Sequence, residues 1–333
     1  MRLTAPFPYF GGKSRAAPLI WQALGDPGGY VEPFAGSAAV LLARPAFVGG
    51  RVETLNDADG WLVNTWRAIQ LSPDEVAKHC VGPVAEIDYH ARLAWLQARR
   101  DAELVAWLEG DPEHHDPKAA GWWLFVAACG IADPWGRGPW QIVNGHLRNV
   151  SNAGRGVNRE LPHLGDAGRG VNRELPHLGD ADREGAVRAM MRVLAHRLQR
   201  VRITCGDWKR VISPAALRAT LANKVVGILL DPPYLTGGDL YAHAGEGVAH
   251  SVREWCLTAD PSLRIVLCGY AGEHDALEQY GWRVQDGKAS GSGTGYSANK
   301  QAGRQERLWM SPACLDLQLH MKFSAPHNDD ATN

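Results

Sequence analysis

The apolar run Val225-Val226-Gly227-Ile228-Leu229-Leu230 ends abruptly in Asp231-Pro232-Pro233-Tyr234, and this junction limits what the chain can fold into more than any other stretch. A short, almost wholly apolar run reads as a strand buried on both faces. Two prolines cannot continue a central strand, so the chain must leave the sheet at Asp231. In open α/β sheets that exit, at the carboxyl ends of the strands, is where ligands bind. The Asp231 carboxylate and the Pro232 carbonyl are acceptors with no competing donor, because proline lacks an N–H. Side by side they suit an exocyclic amino group, which carries two N–H donors. Tyr234 offers a flat face on which an unstacked base can lie. A strand followed by a Pro-Pro turn with a buried tyrosine is the purely structural alternative.

A ligand-binding edge needs more than one strand, and the amino-terminal segment supplies candidates. Phe7-Pro8-Tyr9-Phe10-Gly11-Gly12-Lys13 combines aromatics, two glycines and a lysine. That mixture suits a loop that stacks on a ring and lets backbone approach a ligand closely; a Gly-Gly turn with core aromatics is the alternative. A helix is predicted from Ala16 to Leu24, stopped by Gly25 and Pro27. Tyr30-Val31-Glu32-Pro33-Phe34-Ala35-Gly36-Ser37 and the apolar run after it read as strand, glycine turn and helix, a unit that presents helix amides to a nucleotide-like ligand. A second strand is predicted over Arg51 to Leu55. Asp57 follows at the spacing of an acid that holds a ribose diol. It is preferred to Glu53 and Asp59, and an N-cap on the helix starting near Gly60 is its other reading.

From about Gln70 to Asp180 the texture changes. Six tryptophans, Trp95, Trp107, Trp122, Trp123, Trp135 and Trp140, fall here. Ala91 to Glu109 reads as helical. The Trp135-Gly136-Arg137-Gly138-Pro139-Trp140 loop interleaves aromatics with Arg137, a composition suited to nucleic acid; a packed Trp–Pro turn is the alternative. A perfect tandem repeat follows, AGRGVNRELPHLGD at Ala153–Asp166 and again at Ala167–Asp180. Gly-Arg-Gly and proline in each copy argue against a continuous helix. Arg155, Arg159, Arg169 and Arg173 are candidates for reading phosphates or base edges, against a merely duplicated surface loop.

The core resumes with a helical face of Val187, Met190, Met191, Leu194, Leu198 and Val201. Val201 to Thr204 reads as a strand leading into Cys205-Gly206-Asp207-Trp208. Arg264 to Gly269 is a further strand, Tyr270 to Tyr280 is predicted helical, and Lys288 to Arg304 is rich in Gly and Ser. His114-His115, His243 and His250 have no convincing companions, so no metal site is predicted. The six cysteines are scattered without CxxC spacing, which suggests neither zinc nor a disulfide framework. With a formal net charge of −1, DNA binding must rest on a local basic surface. Trp122 to Ala132, the longest apolar run, is too short to span a bilayer, and Met1–Pro6 has no apolar signal core. A cytoplasmic protein with reduced thiols is expected, monomeric and without membrane association.

In order along the chain, these segments resemble the motifs of Dam-like, amino-directed N6-adenine DNA methyltransferases. Tyr9, Gly11, Gly12 and Lys13 match an aromatic-x-Gly-Gly-Lys motif, with Phe10 inside it. Glu32, Pro33, Phe34 and Gly36 match the Glu/Asp-Pro-Phe-x-Gly motif, although the family often has a further glycine where Ala38 stands. Asp231, Pro232, Pro233 and Tyr234 match the catalytic tetrad. The resemblance implies S-adenosylmethionine as cofactor and double-stranded DNA as partner. It places Asp207 where an acid accepts from the cofactor's adenine amino group, a turn-forming aspartate being the rival reading. It further implies a doubly wound, Rossmann-like methyltransferase sheet over residues 1–70 and 182–314, a target-recognition insert over 71–181, and a fraying tail over 315–333. The insert's loop and repeat look like those of phage-borne enzymes. A cytosine-N4, RNA or protein-amide methyltransferase, or a non-catalytic DNA-binding protein with a retained cofactor fold, are the competing functions.

The repeat generates one direct test. Deleting Ala167–Asp180 leaves a single copy and every motif in order. If the repeat reads DNA, affinity falls or the methylated sequence changes, while S-adenosylmethionine binding is retained. Wild-type DNA affinity, salt dependence and methylated sequence in the deletion would show that it only decorates the surface.

Overall fold

The computed structural model describes residues 3–7, 12–45, 50–82, 85–99, 102–111, 113–129, 140–143, 146–149, 180–221, 224–234, 247–287 and 306–316. The chain begins with helix α1 (Ala17–Leu24), strand β1 (Gly29–Glu32), the one-turn α2 (Ala39–Leu42), β2 (Val52–Asp57) and α3 (Gly60–Leu71). Four helices follow: α4 (Pro73–Cys80), α5 (Glu86–Gln97), α6 (Ala102–Gly110) and α7 (Pro117–Cys129). Next come a hairpin of β3 (Trp140–Val143) and β4 (His146–Asn149), then α8 (Asp180–Leu198), β5 (Val201–Cys205), α9 (Lys209–Ile212), α10 (Pro214–Leu221) and β6 (Val226–Leu230). The last described elements are α11 (Val248–Thr258), β7 (Arg264–Tyr270), a 3-10 helix (Asp275–Tyr280), β8 (Arg283–Asp286) and β9 (Glu306–Met310).

Among the described residues seven strands form one sheet in the order β5-β2-β1-β6-β7-β9-β8. Pairing is parallel from β5 through β7, and β9 runs antiparallel between β7 and β8. This is the mostly parallel sheet of a Rossmann-like methyltransferase fold. The two-residue period of the strands sorts their side chains into two cores. Tyr30, Leu229, Val266, Cys268, Leu308 and Met310 join the core under α1 to α8. Their neighbours Val31, Ile228, Leu230, Ile265, Leu267 and Trp309 join the opposite core with α9, α10 and α11. A parallel sheet covered on both faces explains why β6 is apolar at every position. Because the chain moves outward from β1 to β2 and β5 and then returns to β6 on the other side of β1, the order reverses between β1 and β6. That reversal opens the crevice in which such sheets bind ligands.

Helices α4 to α7 contribute to the same core as α1 to α3. The contact of α7 with α4 is close at Gly121, where an added Cβ would lie 2.5 Å from the His79 Cβ and 2.8 Å from the Val76 carbonyl oxygen. The strand predicted over Arg51 to Leu55 extends to Asp57, because β5 continues to pair with it as far as Asp57 opposite Cys205. The stretch from Ala91 to Glu109, read as helical, falls within α5 and α6, and α5 closes when the Arg99 N–H donates to the Leu96 carbonyl three residues back. The helix predicted from Tyr270 is confined to the short 3-10 turn. Tyr270 is still paired with Glu306, and the Glu273 side chain accepts from the Tyr270 N–H before the turn begins.

A buried ion cluster ties the amino-terminal half to α8. Glu53 on β2 accepts from Arg44 at 2.7 Å and from both terminal nitrogens of Arg197 at 2.6 and 2.9 Å. Arg44 also donates to Asp26 at 3.0 Å, and Arg197 donates to the Leu41 carbonyl at 3.1 Å. Glu53 therefore has a structural use, which removes it as a rival to Asp57. Glu53→Gln removes the carboxylate that Arg44 and Arg197 share and leaves Arg44 only its pairing with Asp26, and loss of one member of such a buried pair typically costs about 3–5 kcal/mol. Urea denaturation should show a loss of that order; a loss below about 1 kcal/mol would mean the cluster is solvated.

Candidate active site

The glycine turn after β1 has a defined shape. Gly36 sits at φ 47° and Ala38 at φ 50°, the one non-glycine in the left-handed region among the described residues. An L-residue pays a steric penalty there, at the position where the resemblance leads one to expect glycine. The Gly36 N–H donates to the Asp57 carboxylate at 2.9 Å, and the Gly36 carbonyl accepts from the Trp66 indole at 3.0 Å. Glu32, at the carboxyl end of β1, is buried and accepts from the Tyr30 hydroxyl at 3.2 Å. Burial pushes its carboxyl up to about 8, with the charge of Asp231 adding to the rise and the Tyr30 hydrogen bond opposing it.

Asp57 lies one strand away. Its two oxygens take the amides of Gly36 and Asp59, at 2.9 and 3.0 Å, and each keeps acceptor capacity beyond those bonds. Burial raises its carboxyl to about 6 against those hydrogen bonds. The N-cap of α3 is Asp59, which accepts from Trp61 and Leu62, so the structural alternative weighed for Asp57 belongs to its neighbour. Asn56, which the sequence did not single out, is almost fully buried and makes three bonds. Its amide nitrogen donates to the Pro33 and Gly206 carbonyls, both at 3.0 Å, and its oxygen accepts from the Thr204 hydroxyl at 3.0 Å. Three strand ends are joined through one side chain.

Asp207 follows β5 and is exposed. One of its oxygens accepts the Lys209 amide at 2.8 Å, which is the turn-forming use. Beside it Trp208 is buried, with its ring 5.9 Å from that of Phe34 and 31° from parallel. An aromatic pair thus stands between the glycine turn and the end of β5.

At the end of β6, Asp231 and Tyr234 meet residues from other segments. The Lys13 ammonium lies 2.8 Å from Asp231 Oδ2 and 3.0 Å from Glu306 Oε1. The Tyr234 hydroxyl is 3.1 Å from Asp231 Oδ1 and donates to Glu306 Oε1 at 2.8 Å. Lys13, Tyr234 and Glu306 are 5%, 6% and 8% exposed. The Tyr234 ring has Tyr270 edge-on at 4.6 Å and the Lys13 ammonium over it at 5.2 Å. Desolvation raises the Asp231 carboxyl, Lys13 pulls it back, and Glu306 pushes it further up. Lys13 is therefore directed at the Asp231–Tyr234 tetrad as well as lying in the amino-terminal motif. Glu306, at the start of β9, was not foreseen.

The candidates Glu32, Phe34, Gly36, Asp57, Asp207 and Asp231 to Tyr234 all stand at the carboxyl ends of β1, β2, β5 and β6, which are neighbours in the sheet. Gly12 and Lys13 lead into α1. Tyr9, Phe10 and Gly11, and the proposed DNA contacts Arg137, Arg155, Arg159, Arg169 and Arg173, lie outside the described residues. Among the described residues no group of three or more His, Cys, Asp or Glu could hold a metal ion, and no helix is long and apolar enough to cross a membrane.

The donor set fits S-adenosylmethionine, a net cation with a ribose diol and an adenine ring: buried carboxylates, an exposed aspartate and an aromatic pair occupy one crevice. Fold and site agree with the expectation of an S-adenosylmethionine-dependent methyltransferase. The family model described as D12 class N6 adenine-specific DNA methyltransferase matches residues 9–83. Over that segment the chain is similar to a family of DNA methyltransferases specific for adenine N6. No curated protein matches it.

The shifted carboxylate of Glu32 makes stability depend on pH in a definite direction. Its folded pKa lies above its unfolded value of 4.5, at about 8. The stabilising contribution is therefore complete below the unfolded value and is lost as pH rises through the folded one. Relative to wild type, Glu32→Gln should gain melting temperature on going from about pH 5 to about pH 9. A constant difference across that range would show that Glu32 titrates normally.

Proposed function

We propose that the crevice between β1 and β6 holds the cofactor on one side and receives a flipped adenine of double-stranded DNA on the other. Gly36 admits a close approach of backbone. Glu32, Asp57 and Asp207 accept hydrogen bonds from the cofactor's polar groups, and Phe34, with Tyr9 and Phe10 of the amino-terminal motif, provides aromatic surface. When bound, S-adenosylmethionine supplies the methyl group from its sulfonium centre. Asp231 and the Pro232 carbonyl accept the two N6 hydrogens and so aim the nitrogen lone pair. The gain comes mainly from positioning, so the residues hold geometry and form no covalent intermediate. Pro233 fixes the backbone direction of the tetrad. Tyr234 is the stacking face, and the Lys13 ammonium over its ring must shift to admit a base. The base has to leave the duplex because N6 is otherwise out of reach.

The observation that carries this reading is the placement of Asp231 at the topological switch point, beside the Glu32 and Gly36 motif. Residues 71–181, with Arg137 and the four repeat arginines, are proposed to recognise the target sequence, and the enzyme to act as a cytoplasmic monomer. Asp231→Ala should abolish methyl transfer to DNA while S-adenosylmethionine still binds. Calorimetry for the cofactor and a tritiated-methyl transfer assay separate the two properties. Near-normal turnover in the variant would remove Asp231 from the chemistry.

A further inference from the structure

We propose that Glu306 is a positioning residue for methyl transfer: it takes over the Lys13 ammonium and the Tyr234 hydroxyl when the adenine amino group claims Asp231. This rests on the assignment of Asp231 as the acceptor of N6. The geometry is that of a shared site. Glu306 Oε1 lies 3.0 Å from the Lys13 nitrogen and 2.8 Å from the Tyr234 oxygen, while Asp231 lies 2.8 Å from the same nitrogen and 3.1 Å from the same oxygen. One ammonium and one hydroxyl are thus divided between two carboxylates, one just after β6 and the other on β9.

The two carboxylates are not equivalent. Asp231 ends β6 at the switch point, and its side chain is 20% exposed. Glu306 opens β9, paired with Tyr270 of β7, and its side chain is 11% exposed. A substrate amino group can therefore reach Asp231 more readily than Glu306. As N6 donates to Asp231, the carboxylate must give up Lys13 or Tyr234. Without Glu306, each would lose a carboxylate partner in a nearly dry site, where such a loss is costly. Glu306 removes that obstacle. It also keeps Lys13 from pairing with Asp231 alone, a pairing that would compete with N6 for the same oxygens. The groups that face Asp231 are Lys13 before α1, Glu32 on β1, Tyr234, Cys268 and Tyr270 on β7, and Glu306 on β9. Among them, Glu306 is the anion that shares both of Asp231's hydrogen-bond donors.

The test is Glu306→Gln in the full chain, with Glu306→Asp as the conservative variant. Glutamine still accepts from Tyr234 but carries no charge, so Asp231 is the carboxylate of the two that Lys13 keeps. Turnover on unmodified genomic DNA should fall about tenfold or more, the scale of one charge-assisted hydrogen bond, with S-adenosylmethionine affinity unchanged. The acid limb of the kcat profile should move to lower pH, because Asp231 loses an anionic neighbour. The same shift should appear without cofactor or DNA, in the carbon-13 titration of labelled aspartate, with the Asp231 signal assigned through Asp231→Asn. Glu306→Asp should keep the limb and the titration midpoint near their wild-type positions and recover most of the turnover. The inference is overturned if Glu306→Gln leaves limb and midpoint unmoved, whatever its turnover, or if Glu306→Asp behaves like Glu306→Gln. Where Glu306→Gln fails to fold, a Glu306→Asp limb displaced to lower pH overturns it equally. If Asp231→Asn itself retains wild-type turnover, the underlying assignment of Asp231 fails instead.

Discussion

The carboxyl edge of a parallel sheet is a row of strand ends whose backbone groups have lost their ladder partners, and in this protein one amide holds that edge together. Asn56 reaches the Pro33 carbonyl after β1, the Gly206 carbonyl after β5 and the Thr204 hydroxyl on β5. A buried amide that joins three groups is worth more than its separate bonds, because removing it takes a donor from two carbonyls at once. It fixes the exits of β1 and β5 relative to β2. Asp57, the next residue, then fastens the Gly36 amide. The glycine turn, the acid and the start of the Asp207 loop are therefore set by two consecutive side chains of one strand.

The other half of the site is held by charge. Lys13 arrives from the segment before α1, Asp231 from the end of β6 and Glu306 from a strand near the carboxyl terminus of the sheet. Residues nearly three hundred apart in sequence converge because β9 is inserted antiparallel beside β7. In a nearly dry site the arrangement of two anions around one ammonium fixes where each oxygen points more tightly than side-chain packing can. That rigidity matters for a reaction in which orientation supplies most of the rate.

The sheet and its carboxyl edge were legible because they rest on local signals. The all-apolar β6, the prolines that end it and the glycine turn after β1 each carry their own steric or burial reason. What was missed has no local signal. Asn56 is an ordinary polar residue until the exits of β1 and β5 are brought beside it, and Glu306 looks like any charge opening an apolar run until β9 inserts next to β7. The split between α5 and α6 depends on a closing 3-10 hydrogen bond that Ala98 and Arg99 do not announce. Sequence favours Asp57 over Asp59 for its place at the end of the strand, but leaves its N-cap reading open, since both are acids ahead of a helix. Only the geometry shows one fastening the glycine turn and the other capping α3.

Ala38 has a consequence for how the cradle behaves before any ligand arrives. Its left-handed backbone is buried, and its N–H closes the turn on the Ala35 carbonyl at 2.7 Å. A glycine there would reach the same shape without steric cost, but would also explore many others. Alanine accepts a strain of roughly 1–2 kcal/mol and in return has fewer conformations to lose. The turn is preorganised by its own side chain, so less disorder has to be removed when the crevice fills.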